Sequence, residues 1–204
     1  MGRSPIDWTP GIYNRLSKYY DRLFKLTFPI GEKGQARVLE GMESGSLLDV
    51  ACGTGTLLAY AHSVGMQCFG NDTSPGMLGQ ARMKVPGAYL EQASFYNLPF
   101  GDGQFDYVIE TNAVSGVDIT FEAVLDEMLR VCKVGGEVRI GDYAKSPQVS
   151  FWTRFLERIG VLIGDYPHDF GAYLESLGYQ PEVEILGWSG MYQYVRVVKV
   201  PSIS

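Results

Sequence analysis

The 204 residues carry 17 basic and 23 acidic side chains, a formal net charge of −6, with 46% hydrophobic and 20% charged residues. That length suits one α/β domain with a real core, and that composition excludes an intrinsically disordered chain. An acidic surface repels phosphate backbones, which makes nucleic acid a poor partner.

Ile12, Leu16, Tyr19, Tyr20, Leu23 and Phe24 recur at helical spacing and predict one amphipathic helix over 12–26, followed by a weaker helix over 33–43. SLLDV (46–50) reads as a short buried strand that runs into CGTGT and an apolar helix through Val64. MQCFGN (66–71) is a second strand, and Ser74-Pro75 supply an N-cap and a first-turn proline for a helix through about Lys84. AYLEQ (88–92) and QFDYVIE (104–110) are the third and fourth strands. Phe121, Val124, Leu125, Met128, Leu129 and Cys132 mark a helix that ends before a Gly135-Gly136 turn, and EVRIGD (137–142) is the fifth strand. Residues 147–163 and 167–177 read as helices, the second stopped by Gly178. Two runs, 180–187 and 191–200, flank GWSG as an antiparallel hairpin.

Strands alternating with helices imply a parallel sheet with right-handed crossovers. Adding the hairpin gives the expected class: α/β, Rossmann-like, a seven-stranded mostly parallel sheet with helices on both faces and a C-terminal antiparallel hairpin. We expect a single domain over 1–204, divided into an N-terminal helical lid (1–45), a cofactor-binding core (46–142), a substrate-side insertion (143–178) and the hairpin (179–204). The uncharged run from Val50 to Asn71 is long enough to span a bilayer, but its glycines and its change of period read as loop, helix and strand, so no integral membrane segment is expected. MGRSPIDWTP lacks the apolar core of a signal peptide. Cys52, Cys68 and Cys132 form neither a CxxC pair nor a disulfide framework, which points to a cytoplasmic setting and no metal. Cys52, just before a helix start, is either a packing residue or a stabilised thiolate.

LLDVACGTGTL (47–57) carries the chemistry. Gly53 and Gly55 allow a tight turn after the strand, and the next helix offers free N–H groups to a ligand. A nicotinamide fingerprint needs a third glycine where Leu58 stands, and Asp49 at the strand end would oppose a pyrophosphate. Asp49 suits a ligand bearing ammonium and sulfonium charges instead. Asp72 closes the second strand 19 residues after Gly53, where a carboxylate accepts hydrogen bonds from ribose hydroxyls, or else caps the following helix.

LLDVACGTGTL, FGNDTSPGMLGQAR, NLPFGDGQFDYVIE and LDEMLRVCKVGGEVRIGDY resemble, in order, the motifs of class I S-adenosylmethionine-dependent methyltransferases, in the ubiquinone/menaquinone-biosynthesis-like or methyltransferase type 11 branch. The resemblance runs from about residue 13 to 199. It implies S-adenosyl-L-methionine as cofactor, S-adenosyl-L-homocysteine as product, and methyl transfer. By position it implies Asp49, Ala51, Gly53 and Gly55 at the methionine end, Asp72 at the ribose, Thr73 and Met77 beside the adenine, and Ser94 and Phe95 at its other edge. Glu110, Thr111 and Asn112 would form the floor, while Tyr13 and Tyr19-Tyr20-Asp21 belong to a helix closing over the cofactor. Ala51 stands where the family commonly has glycine. Ser94 stands where it often has an acidic residue, and is either an adenine contact or a plain loop residue.

Residues 1–30 and 143–173 hold 13 of the 26 aromatic residues and are expected to cover the carboxyl edge of the sheet. That favours a small apolar or aromatic acceptor, or a cation held against ring faces, with methyl transfer driven mainly by positioning. His168, in DYPHDF, is the better candidate base or else a helix-start residue, and Tyr20, Glu110 and Asp142 are lesser candidates. His62 reads as a partly buried structural histidine. The histidine that quinone-methylating relatives tend to carry in the last strand is absent from GMYQYVRVVKV, and Asn-Pro-Pro-Tyr is absent after the fourth strand. The alternatives are a lipid-headgroup methyltransferase at a membrane surface, for which Arg3, Arg15, Lys18, Arg22, Lys25 and Lys33 make the N-terminus locally basic, and a non-catalytic cofactor-binding regulator. The chain is expected to be a monomer or a homodimer.

Overall fold

The computed structural model describes residues 10–27, 29–115, 119–143, 145, 167–186 and 192–201. The predicted helix 147–163 lies outside the described residues, as do Trp8, Phe28, Phe151, Trp152, Phe155 and Tyr166. Seven strands form one sheet: β1 (Ser46–Val50), β2 (Gln67–Asp72), β3 (Tyr89–Gln92), β4 (Phe105–Thr111), β5 (Cys132–Tyr143), β6 (Glu182–Leu186) and β7 (Tyr192–Val198). Their spatial order is β3-β2-β1-β4-β5-β7-β6. The strands from β3 to β5 pair in parallel, while β7 pairs antiparallel with both β5 and β6.

Both faces of the sheet are covered, which explains why its central strands read as continuous apolar runs. Leu47 and Ile109 join the core with α3 (Pro29–Leu39), α4 (Thr56–Ser63) and α5 (Pro75–Lys84). Their chain neighbours Leu48 and Val108 join the opposite core with α6 (Phe121–Val131) and α7 (Phe170–Ser176). Leu47, Leu48, Val108 and Ile109 are fully buried, each contributing about 2 kcal/mol through the water it leaves.

The expected helix over 12–26 is two helices, α1 (Pro10–Leu16) and α2 (Tyr20–Thr27). Ser17 breaks it: its buried hydroxyl donates back to the Asn14 carbonyl at 3.1 Å, and the Tyr19 amide donates to the Leu16 carbonyl at 2.8 Å. The helix expected at 33–43 starts earlier, because Pro29 suits a first turn. Gly135-Gly136 is no turn before the fifth strand but an interruption inside it. The ladder with β4 passes from the Phe105–Cys132 pair to the Tyr107–Glu137 pair, and a side chain at Gly136 would meet the Asp106 carbonyl at 2.8 Å. The helix expected from 167 begins at Phe170, where the Asp169 carboxylate accepts from the Ala172 amide at 3.0 Å.

Candidate active site

Four strands carry an acid at or next to their last residue. Asp49 of β1, Asp72 of β2, Glu110 of β4 and Asp142 of β5 stand along the carboxyl edge of the sheet. Asp49, Glu110 and Asp142 are 2%, 0% and 1% exposed. Beyond β1 the chain turns through Ala51 at φ 57°, Gly53 at φ 54° and Gly55 at φ 75°. The Cys52 amide donates to the Asn71 carbonyl, and the Gly53 amide to Asp72 Oδ2, both at 2.9 Å. Asp72 Oδ1 accepts from the Ser74 amide at 2.8 Å. The cap of α5 is Ser74, whose hydroxyl accepts from the Met77 amide at 3.2 Å, so Asp72 is not the cap. Each Asp72 oxygen keeps a further lone pair for a ligand.

These acids are uncomfortable. Burial, and then the charge of Asp72, push Asp49 well above the usual carboxylate range. Burial also raises Asp72, against the backbone amides it accepts from. Burial and then Asp142 raise Glu110, and burial raises Asp142. Of that facing pair, Glu110 holds the proton. Asp142 accepts from the Val114, Ser115 and Tyr143 amides at 2.9, 3.0 and 2.6 Å, a set that favours its charge, whereas Glu110 accepts only from the Ala113 amide at 2.7 Å. Among the described residues, the buried Glu110 Oε2 and Asn112 Nδ2 have no protein acceptor or donor of the ordinary kind. Asn112 sits at φ 60°, and its Oδ1 accepts from the Tyr192 hydroxyl at 2.7 Å. Ala51 and Asn112 are thus two left-handed non-glycine residues at neighbouring strand ends, each costing about 1–3 kcal/mol.

A small cleft opens above this edge. Its sheet side is Asp49, Ala51, Gly53, Thr111 and Asn112, with Cys52, Thr54, Thr56 and Leu57 of the glycine loop and α4. Its cover is Tyr20, Asp21 and Phe24 of α2, with Glu32 and Gln35 of α3. Tyr13, Tyr20 and Phe24 form an aromatic ladder, with ring centroids 6.1 and 5.9 Å apart. Burial, and then the charges of Tyr13 and Asp72, raise the Tyr20 phenol, so at neutral pH it is a hydrogen-bond donor and not the base considered from sequence.

The cover is latched to the floor by a side chain that sequence reasoning missed. Lys84, at the end of α5, pairs with Asp21, and its ammonium donates to the Thr54 and Thr56 hydroxyls at 2.8 and 2.9 Å. Thr54 donates to Asp21 as well. Burial would raise Asp21, but Lys84 and the two hydroxyls outweigh it and bring its pKa below the usual value. Asn14 of α1 is a second clasp, its Oδ1 accepting from the Ser74 hydroxyl at 2.7 Å and the Gly76 amide at 2.8 Å. Glu32 and Gln35 were missed too. The one trace in the sequence is their i, i+3 spacing, which sets both on one face of α3.

The other expected residues lie around the cleft rather than in its lining. Gly55 serves packing: a side chain there would meet Cβ of Ala81 on α5 at 2.9 Å. Met77 is buried in the first turn of α5, and exposed Thr73 precedes it. Ser94 holds its own loop, accepting from the Tyr96 amide at 3.2 Å, and Phe95 packs edge-on against Tyr96 at 4.7 Å. His168 is no part of the lining. It is 8% exposed, stacked on Phe121 of α6 at 4.5 Å and packed near Phe170, where the apolar spacing of α6 drew it into the core. His62 is exposed on α4, not partly buried. Cys52 packs beneath Gly70, and burial followed by Asp49 and Asp72 raises its thiol, so it is no thiolate.

The family described as Methyltransferase domain matches residues 48–140. An uncharacterized methyltransferase of Synechocystis sp. is 33% identical over 156 residues, covering 74% of this chain and 74% of its own. The demethylmenaquinone methyltransferase of Beutenbergia cavernae is 26% identical, covering 94% of this chain and 88% of its own. The fold is shared with a Thermotoga maritima S-adenosylmethionine-dependent methyltransferase, described as a possible histamine N-methyltransferase, at a TM-score of 0.71 and 19% identity over 93% of this chain and 98% of that one. The chain therefore belongs to the class I S-adenosylmethionine-dependent methyltransferases, in their menaquinone-biosynthesis-like branch. It is a methyltransferase, and its cofactor is S-adenosylmethionine. No helix among the described residues is long and apolar enough to cross a membrane.

Proposed function

We propose that the enzyme methylates a small apolar or aromatic acceptor, and that it does so chiefly by positioning. The observation that carries this reading is the aromatic ladder Tyr13–Tyr20–Phe24, whose Tyr20 and Phe24 rings line the inner side of the cover. Among the described residues no histidine lines the cleft. Tyr20 keeps its proton, and the Glu110–Asp142 pair is sealed under the floor. A ring or alkyl acceptor held against the ladder is desolvated and aligned, and when the cofactor supplies an electrophilic methyl group, alignment is most of what the displacement needs.

The residues present fit the cofactor. Asp49 offers a buried carboxylate to an ammonium, and the bare backbone at Gly53, where a side chain would meet nothing within 4 Å, leaves room for the ligand to lie close. Asp72 receives the ribose hydroxyls, and the orphaned Asn112 Nδ2 donates to a carboxylate or to the acceptor. Met77, Ser94 and Phe95 border the adenine, and Glu110 with Thr111 supports the floor. The test is calorimetric titration with S-adenosylhomocysteine, then a mass-spectrometric screen of aromatic, prenylated and polar acceptors. Methylation confined to apolar and aromatic acceptors supports the reading. Preference for small polar amines or acids overturns it.

A further inference from the structure

The helix that covers the cleft has a second face with no role in the cleft. Tyr19, in the turn just before α2, and Leu23 and Leu26 on α2, at i, i+4 and i+7, are 68%, 45% and 81% exposed. Arg15 at the end of α1, Lys18 in the turn and Arg22 on α2 are exposed as well. Residues 10–27 hold four basic side chains and a single acid, Asp21, which Lys84 pairs, so this segment is cationic on a chain of net charge −6. Leu26 contributes next to nothing to the core at that exposure. A continuous apolar stripe beside cations, on a helix whose other face is anchored, is the arrangement of a helix that lies in a membrane interface.

We propose that the outer face of α2 docks the enzyme on the surface of an anionic bilayer, so that an acceptor dissolved in lipid reaches the cleft without crossing water. The docking stands on this face alone; its link to the acceptor rests on the apolar reading above. A second copy of the chain fits the face worse. A twofold contact would set Lys18 and Arg22 against their own mates, and one face of an eight-residue helix falls well short of the roughly 800 Å² per partner of a stable interface. Anionic headgroups satisfy both the cations and the apolar stripe.

The experiment is co-sedimentation of the full chain with vesicles of phosphatidylglycerol and phosphatidylcholine, against phosphatidylcholine alone, across a salt series. We expect binding to the anionic vesicles that weakens as salt rises. Leu26→Glu should lower partition at least roughly five-fold, and Lys18→Glu with Arg22→Glu more, since each cation near such a surface is worth roughly five-fold. Both variants should bind S-adenosylhomocysteine as the parent does, which shows that the cleft is intact and separates failure of docking from failure of the acceptor reading. Equal partition into both vesicle types, or partition unchanged by Leu26→Glu, overturns the proposal. A dimer in sedimentation equilibrium that Leu26→Glu dissociates overturns it in favour of a second copy.

Discussion

The two edges of the sheet treat the same side chains in opposite ways. At the amino edge, Asp106 accepts from Lys133 at 2.7 Å and from the Ser46 hydroxyl and amide at 2.7 and 2.9 Å, and its pKa falls to about 2. On the flanks, Glu127 is lowered by Arg130, and Glu137 by Arg196 and Arg139. At the carboxyl edge, Asp49, Asp72, Glu110 and Asp142 are all raised, chiefly by burial. An acid that only braces a fold is given its cation within the chain. Asp49, buried without one, we read as a receptor for a cation from outside, and the cofactor of this family brings ammonium and sulfonium charge.

The largest effect should come from Asp49→Asn. Removing the partner of a buried ammonium costs about 2–5 kcal/mol of binding, at least ~30-fold in affinity by calorimetry. The melting temperature of the cofactor-free variant should hold or rise, because a buried unpaired charge has been removed. A variant that binds normally would end the receptor reading of Asp49. The pH dependence should have the opposite sign at the two edges. A raised acid contributes stability that is fully present below its unfolded value, near 4, and lost as pH rises through its folded value. The cofactor-free enzyme should therefore melt higher as pH falls from about 7 towards 4, and Glu110→Gln should flatten that slope. Asp106 contributes stability above its unfolded value, lost as pH falls through about 2.

Asp106→Asn should cost about 1–2 kcal/mol in urea unfolding, since its pair with Lys133 is half-exposed and two hydrogen bonds from Ser46 are weakened, while S-adenosylhomocysteine affinity stays at the parent value. The smallest effect belongs to the latch. Lys84→Ala removes a partly exposed pair worth about 0.5–1 kcal/mol, and because that pair holds the cover, the loss should appear as a several-fold faster dissociation of S-adenosylhomocysteine in stopped flow.

The parallel core was legible because its rules are local. LLDV is apolar on both sides of the strand, Ser74-Pro75 starts a helix by its own chemistry, and Gly178 at φ 86° ends one. The acids at strand ends were legible because a carboxylate there is expensive without a ligand. The break at Ser17 was not, because Ile12, Leu16, Tyr19 and Tyr20 keep helical spacing across a turn, and only the back-bonded hydroxyl shows where the axis changes. Lys84 was illegible for a different reason. Its partners Asp21, Thr54 and Thr56 are 63, 30 and 28 residues away, and nothing local distinguishes it from any lysine at a helix end. His168 misled because a histidine beside acids looks chemical, whereas the ring of Phe121 claims it from another helix. Ala51 shows the reverse: its φ of 57° is the physical reason for glycine at that place in the family.

A side chain at Gly34 on α3 would lie 2.3 Å from the ring of Tyr192, whose hydroxyl is held by Asn112 and the Gly141 carbonyl and which has nowhere to turn. The two positions are therefore one unit of inheritance. A larger residue at 34 calls for a smaller one at 192, and that exchange would release Asn112 at the floor of the cleft. A change at position 34, which does not line the cleft, would then reach its floor through Tyr192.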